Sequence, residues 1–130
     1  MPHHRQTVHS PDAPKAAGPY SHAVTSGGLL FVSGQTPVDP ATGKLVDGSI
    51  GDHTRRCLEN VGIVCAAAGA ELTDAVRMSI YVTDISVFAD VNEAYGGFFP
   101  SDPPARTTIG VASLPLGAQV EIDAIVALPD

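Results

Sequence analysis

Tryptophan is absent from this chain, and Phe and Tyr bring the aromatic share to only 5%. A core without large rings has to be built from Val, Ile, Leu and Ala, and the hydrophobic fraction of 44% supplies them. That fraction favours a folded globule over a disordered chain. Positive charge is also scarce: 7 Lys and Arg stand against 14 Asp and Glu, a net charge of -7. Such a surface repels phosphate backbones, and no Lys/Arg cluster offsets it, so nucleic acid is not the expected partner. No apolar run reaches the roughly 20 residues of a membrane span, and the N-terminus lacks a signal peptide's apolar middle. A cytoplasmic protein is therefore expected. The 2 cysteines, Cys57 and Cys65, stand eight apart on one expected helix. About 12 Å of helix separates them, too far for a bridge, so both are expected as small core residues in a reducing compartment. His-x-Glu, Cys-x-x-Cys and Gly-x-Gly-x-x-Gly are all missing, and neither a metal nor a cofactor is expected.

A length of 130 residues fits one domain. Met1 to Pro14 is polar, carries His3, His4 and His9, and is expected as a flexible tail before a domain spanning 15–130. Ser21 to Thr25 and Leu29 to Ser33 are expected as strands joined through Ser26-Gly27-Gly28, with Gly34-Gln35 ending the second. Gly34 either relieves a bulge or makes room for a ligand. Cys57, Val61, Val64 and Ala68 repeat at helical spacing, predicting a helix from Asp52, as cap, to Ala68, stopped by Gly69. Met78, Ile80 and Val82 alternate as a strand does. A second helix should start at Asp84 or Ser86 and bury Phe88, Val91, Tyr95 and Phe98 or Phe99, with Asn92 at the border of that stripe. Arg106 to Val111 and Gln119 to Val126 are expected as strands paired through a Leu114–Gly117 turn. The order strand-strand, helix, strand, helix, strand-strand implies α+β: two helices on one face of a mixed, mainly antiparallel sheet.

Arg106 is the only basic residue from Met78 to the C-terminus. Its planar fork matches a carboxylate, so it is either the anion hook of a site or the ion-pair partner of Glu121 across the expected hairpin. Glu121 and Asp123 share a strand face, where burial would raise one pKa toward general acid–base use. Ser21 and His22 point to opposite faces and do not make a hydrolase pair.

Several fragments together carry a family likeness: Gly18-Pro19-Tyr20-Ser21-His22-Ala23, Phe31-Val32-Ser33-Gly34-Gln35, Asn60 with Ala67-Ala68-Gly69, Asn92-Glu93-Ala94-Tyr95, Pro104-Ala105-Arg106, and Leu114-Pro115 with Val120-Glu121-Ile122. In this order they resemble the RidA (YjgF) family of enamine/imine deaminases from about Pro14 to Ala127. The resemblance implies a chorismate-mutase-like fold and a homotrimer with sheets facing its centre and clefts between subunits. It also implies hydrolysis of 2-aminoacrylate and related 2-iminopropanoate or 2-iminobutanoate species, released by pyridoxal-phosphate enzymes, to 2-keto acids and ammonia. By the same resemblance Arg106 grips the carboxylate, Glu121 handles the attacking water, and Tyr20, Ser33, Gly34 and Asn92 line the cleft. Thr108 departs from the cysteine of many relatives. A non-catalytic carboxylate-binding protein of the same fold is the alternative. Ribonuclease or translation-inhibitor activity, proposed for relatives, sits poorly with the acidic charge.

Overall fold

The computed structural model describes residues 4–130. Its strands are β1 (Gln6–Val8), β2 (Ala23–Ser26), β3 (Leu29–Gln35), β4 (Val38–Asp39), β5 (Lys44–Leu45), β6 (Ala75–Val82), β7 (Ala105–Gly110) and β8 (Val120–Ala127). Its helices are α1 (Ile50–Ala67) and α2 (Phe88–Gly96). Six strands form one sheet in the order β1-β2-β3-β8-β6-β7, and β4 and β5 form a separate small hairpin. Every pairing in the large sheet is antiparallel except β6 with β7. The fold is α+β, as expected.

Period-two burial sets the layers. Val120, Ile122, Ala124 and Val126 of β8 are buried, while the residues between them are partly exposed. The buried set joins Leu30 and Val32 of β3, Met78, Ile80 and Val82 of β6, and the α1 stripe of Cys57, Val61, Val64 and Cys65 in one core. The cysteines are inert there: burial pushes the Cys57 thiol well up and Cys65 to about 11. The β2–β3 hairpin turns on Gly27 and Gly28, both at positive φ (59° and 79°), as a two-residue turn matched to strand twist requires.

Four local expectations change. Helix α1 is capped by Ser49, not Asp52. Asp52 instead sits in the first turn and closes a reciprocal pair, its backbone N–H donating to Ser49 Oγ at 3.2 Å and its carboxylate accepting from the Ser49 N–H at 3.0 Å. Asp84 caps a 3-10 turn over Ile85–Val87, and α2 proper begins only at Phe88. Part of the expected tail is built into the sheet, because β1 pairs with β2. Buried His22 holds the segment that follows: Ser10 N–H donates to its Nδ1 at 3.0 Å, and its Nε2 lies 2.8 Å from the Pro14 carbonyl. His3 lies outside the described residues. Finally, β7 and β8 are not a hairpin. β6 runs between them, pairing parallel to β7 and antiparallel to β8. A parallel pair needs a crossover, and α2 supplies it.

Asn60 is fully buried in α1, and its amide donates to the carbonyls of Thr36 at 3.1 Å and Val38 at 2.9 Å. It thereby ties the helix to the segment leaving β3. Asn60→Leu should strand both carbonyls and cost about 3 kcal/mol, read as a lower urea midpoint at unchanged slope.

Candidate functional site

The sequence-predicted residues fall into two groups. Arg106 stands at the start of β7, its register partner is Met78, and Met78 faces the core. Its side chain therefore leaves the sheet on the helix side. There a guanidinium N–H donates to Asn92 Oδ1 at 2.6 Å, and Cζ lies 4.8 Å from the Tyr95 ring centroid and 5.4 Å from that of Phe88. Val91 and Tyr95 are buried, which brings the neighbouring Asn92 to the edge of α2 nearest β7. Asn92 is thus a partner of Arg106 rather than a free helix residue.

Among the described residues no carboxylate lies within ion-pair distance of Arg106. A guanidinium has five N–H donors, so most of its capacity is left for an anion. Phe88 and Tyr95 as its platform were missed in the sequence. Their signal is the spacing: Phe88 is four before Asn92 and Tyr95 three after, one helix face. Two hydroxyls nearby are buried without a hydrogen-bond partner, that of Tyr95 and that of Thr108, which follows Arg106 by two on the same face of β7.

Glu121 belongs to the other group. It is flanked by buried Val120 and Ile122, so it points to the open face of the sheet. A Cβ on Gly34 would lie 2.8 Å from Glu121 Oε2 and 2.9 Å from its Cδ, so the acid crosses β3 where only glycine leaves room. The register of β3 against β8 shifts between Val32 and Gln35, as the bulge reading of Gly34 has it, and the group that comes close to this glycine is the Glu121 carboxylate. Burial, then the charge of Asp123, raises the pKa of Glu121 above the ordinary value. Asp123 itself accepts from the Tyr81 hydroxyl at 2.8 Å, whereas Glu121 has no such donor among the described residues.

Tyr20 and Gly34 line a space of about 30 Å³ together with His22 and Leu116, roughly the share of one water. Ser33, beside Gly34, donates to the Ser21 carbonyl at 2.7 Å. Tyr20 is 46% exposed and accepts from the Ala17 N–H.

Within one chain the groups do not meet. β6 separates the two strands, Arg106 aligns with Met78 and Glu121 with Tyr81, and the side chains leave opposite faces. Two strand spacings and three residues of offset put their Cα atoms roughly 14 Å apart. The ion-pair reading of Arg106 with Glu121 is therefore not met within the chain. It assumed direct pairing of β7 with β8, which β6 prevents.

The family model described as endoribonuclease L-PSP matches residues 10–128. Protein DfrA of Myxococcus xanthus is 49% identical over 123 residues, covering 93% of this chain and 94% of that protein. The human protein named 2-iminobutanoate/2-iminopropanoate deaminase is 39% identical over 121 residues, 93% of this chain and 88% of the relative. The crystal structure of E. coli TdcF with bound serine superposes with a TM-score of 0.90 at 37% identity, covering 95% of this chain and 99% of that one.

The raised pKa of Glu121 has a sign. The folded chain keeps a proton that the unfolded chain releases, so the charged acid opposes folding as pH rises from the ordinary 4.5 through the folded pKa. Glu121→Gln should melt above wild type at pH 7, with the gap closing toward pH 4. Thermal melts at the two pH values check it, and a constant gap contradicts it.

Proposed function

The chain belongs to the RidA/YjgF family, and from that footing we propose that it hydrolyses 2-imino acids and their enamine tautomers, such as 2-aminoacrylate, to 2-keto acids and ammonia. The observation that carries this reading is a guanidinium set in a polar and aromatic cradle with no carboxylate of its own. Such a group accepts a substrate carboxylate without first breaking an ion pair. That a relative binds serine, itself a carboxylate, agrees with this.

Arg106 fixes the acid end and so places the C=N carbon, which supplies catalysis through orientation. Glu121, with its pKa moved toward neutrality, takes a proton from the attacking water. The water oxygen bonds to the imine carbon, and the C=N pair moves to nitrogen, which is protonated. Glu121 then passes the proton it took to the amino group and the adduct collapses: the C–N bond breaks, ammonia leaves, and the hydroxyl becomes the keto carbonyl as its proton goes back to Glu121. Gly34 leaves the space in which Glu121 and that water meet.

The two groups come together across chains in this proposal. Arg106 and Asn92 of one subunit face Tyr20, Ser33, Gly34 and Glu121 of the next, in the clefts of a homotrimer. The open sheet face supports this, since Phe31 and Ile109 are 43% and 45% exposed on it, and a neighbouring copy would cover them. Pyridoxal-phosphate enzymes in the cytoplasm would supply the imines.

Nuclease activity, which the family model's description suggests, is not favoured. The charge is -7, and the adjacent Arg55 and Arg56 are committed to Asp52 and Glu59.

The test couples the protein to a pyridoxal-phosphate dehydratase and follows keto-acid release. Wild type should accelerate it, Glu121→Gln should lose about 10²-fold or more in kcat/KM, and Arg106→Ala at least as much, with the assembly intact. Ligand binding with no acceleration by wild type would instead make the chain a carboxylate binder, and full activity in Arg106→Ala would sink the site.

A further inference from the structure

Arg106 opens onto more than a surface. A cavity of about 350 Å³ lies beside it, lined by Tyr95, Gly96, Phe99, Pro103 and Pro104. That is the lower part of the roughly 300–1,000 Å³ range in which small-molecule sites fall. The Tyr95 and Phe99 rings lie 4.7 Å apart, and the two prolines add rigid apolar surface. The Tyr95 hydroxyl oxygen is buried, which leaves ring carbon on the cavity wall. Arg106 is therefore the one charged group of an otherwise apolar lining. The space at Gly34 is far smaller, about 30 Å³.

We propose that this cavity receives the side chain of the substrate, so that the protein selects 2-imino acids with branched or aromatic apolar side chains over the smallest and over acidic ones. This rests on the reading of Arg106 as the carboxylate hook and adds to it which imines are taken. A methyl side chain would leave the cavity unfilled and forgo the apolar burial that Phe99 and the prolines offer. An acidic side chain would bring a second carboxylate to a wall with no second cation, where it would be desolvated without a counter-charge.

Gly96 gives a direct handle. A Cβ there meets nothing within 4 Å, although the residue lines the cavity. It also lies in α2, where replacing glycine favours the helix. Gly96→Leu therefore adds bulk at the cavity's lining from a Cβ that meets no neighbour.

The keto-acid products are stable stand-ins for the imines, and calorimetric titration of the intact protein can rank them. 4-Methyl-2-oxopentanoate should bind at least about tenfold more tightly than pyruvate, with 2-oxoglutarate weakest. Gly96→Leu should weaken the branched acid until that advantage is gone. Equal affinities for the three acids in wild type overturn the proposal, and need no variant to fold. A preference that survives Gly96→Leu overturns it as well, since the selecting surface then lies elsewhere. Failure of the underlying reading looks different: none of the acids binds wild type, or all bind Arg106→Ala as tightly as wild type.

Discussion

A positive charge held without a negative one is the constraint on which the site depends. The Arg106 guanidinium is oriented by one amide oxygen, from Asn92, and by two ring faces, Tyr95 and Phe88. Each ring contributes about 0.5–1 kcal/mol and leaves the charge intact. A carboxylate in the same place would hold the side chain more firmly, but an incoming anion would have to displace it. Much of the nearby architecture serves this arrangement. The prolines before β7 fix where the strand begins, Val91 and Tyr95 pin α2 to the core, and β6 keeps the acids of β8 away.

The acid half is built on the opposite principle, crowding. Glu121 lies across the one residue of β3 that has no side chain, half out of water and near Asp123, and both influences push its pKa up. A carboxylate whose pKa is raised in this way takes up a proton more readily than a solvated one. In the proposed chemistry the two halves divide the labour: Arg106 meets the carboxylate of the ligand, and Glu121 moves a proton.

How much of this could be read in the chain depended on range. The α1 stripe from Cys57 to Val64 and the alternation of Val120, Ile122, Ala124 and Val126 are local periodicities, and they reappear as core. Arg106 was conspicuous as a lone base in an acidic half. Asn92 came into view only through the family likeness, because it is 14 residues away and meets Arg106 through the α2 crossover, which periodicity does not encode. The same blind spot misplaced β6. Two strands separated by a short turn suggest a hairpin, and nothing local in Leu114–Gly117 announces that a third strand lies between them. The Gln6–Val8 strand was hidden for a related reason: its partner is β2, and the anchor that follows it is a buried histidine at position 22. Ser49 was passed over because Asp52 also has the chemistry of a cap, and the two act as a pair.

Since Arg106 and Glu121 leave opposite faces of one sheet, the proposed chemistry requires two chains at every site. Subunit mixing tests that requirement most directly. Arg106→Ala and Glu121→Gln proteins, each inactive alone, are unfolded together in equal amounts, refolded and assayed for imine hydrolysis. With arginine and glutamate drawn from neighbouring subunits of a ring, about a quarter of the clefts recover both, and activity should return to about a quarter of wild type. A mixture as inactive as its two components would contradict the shared site.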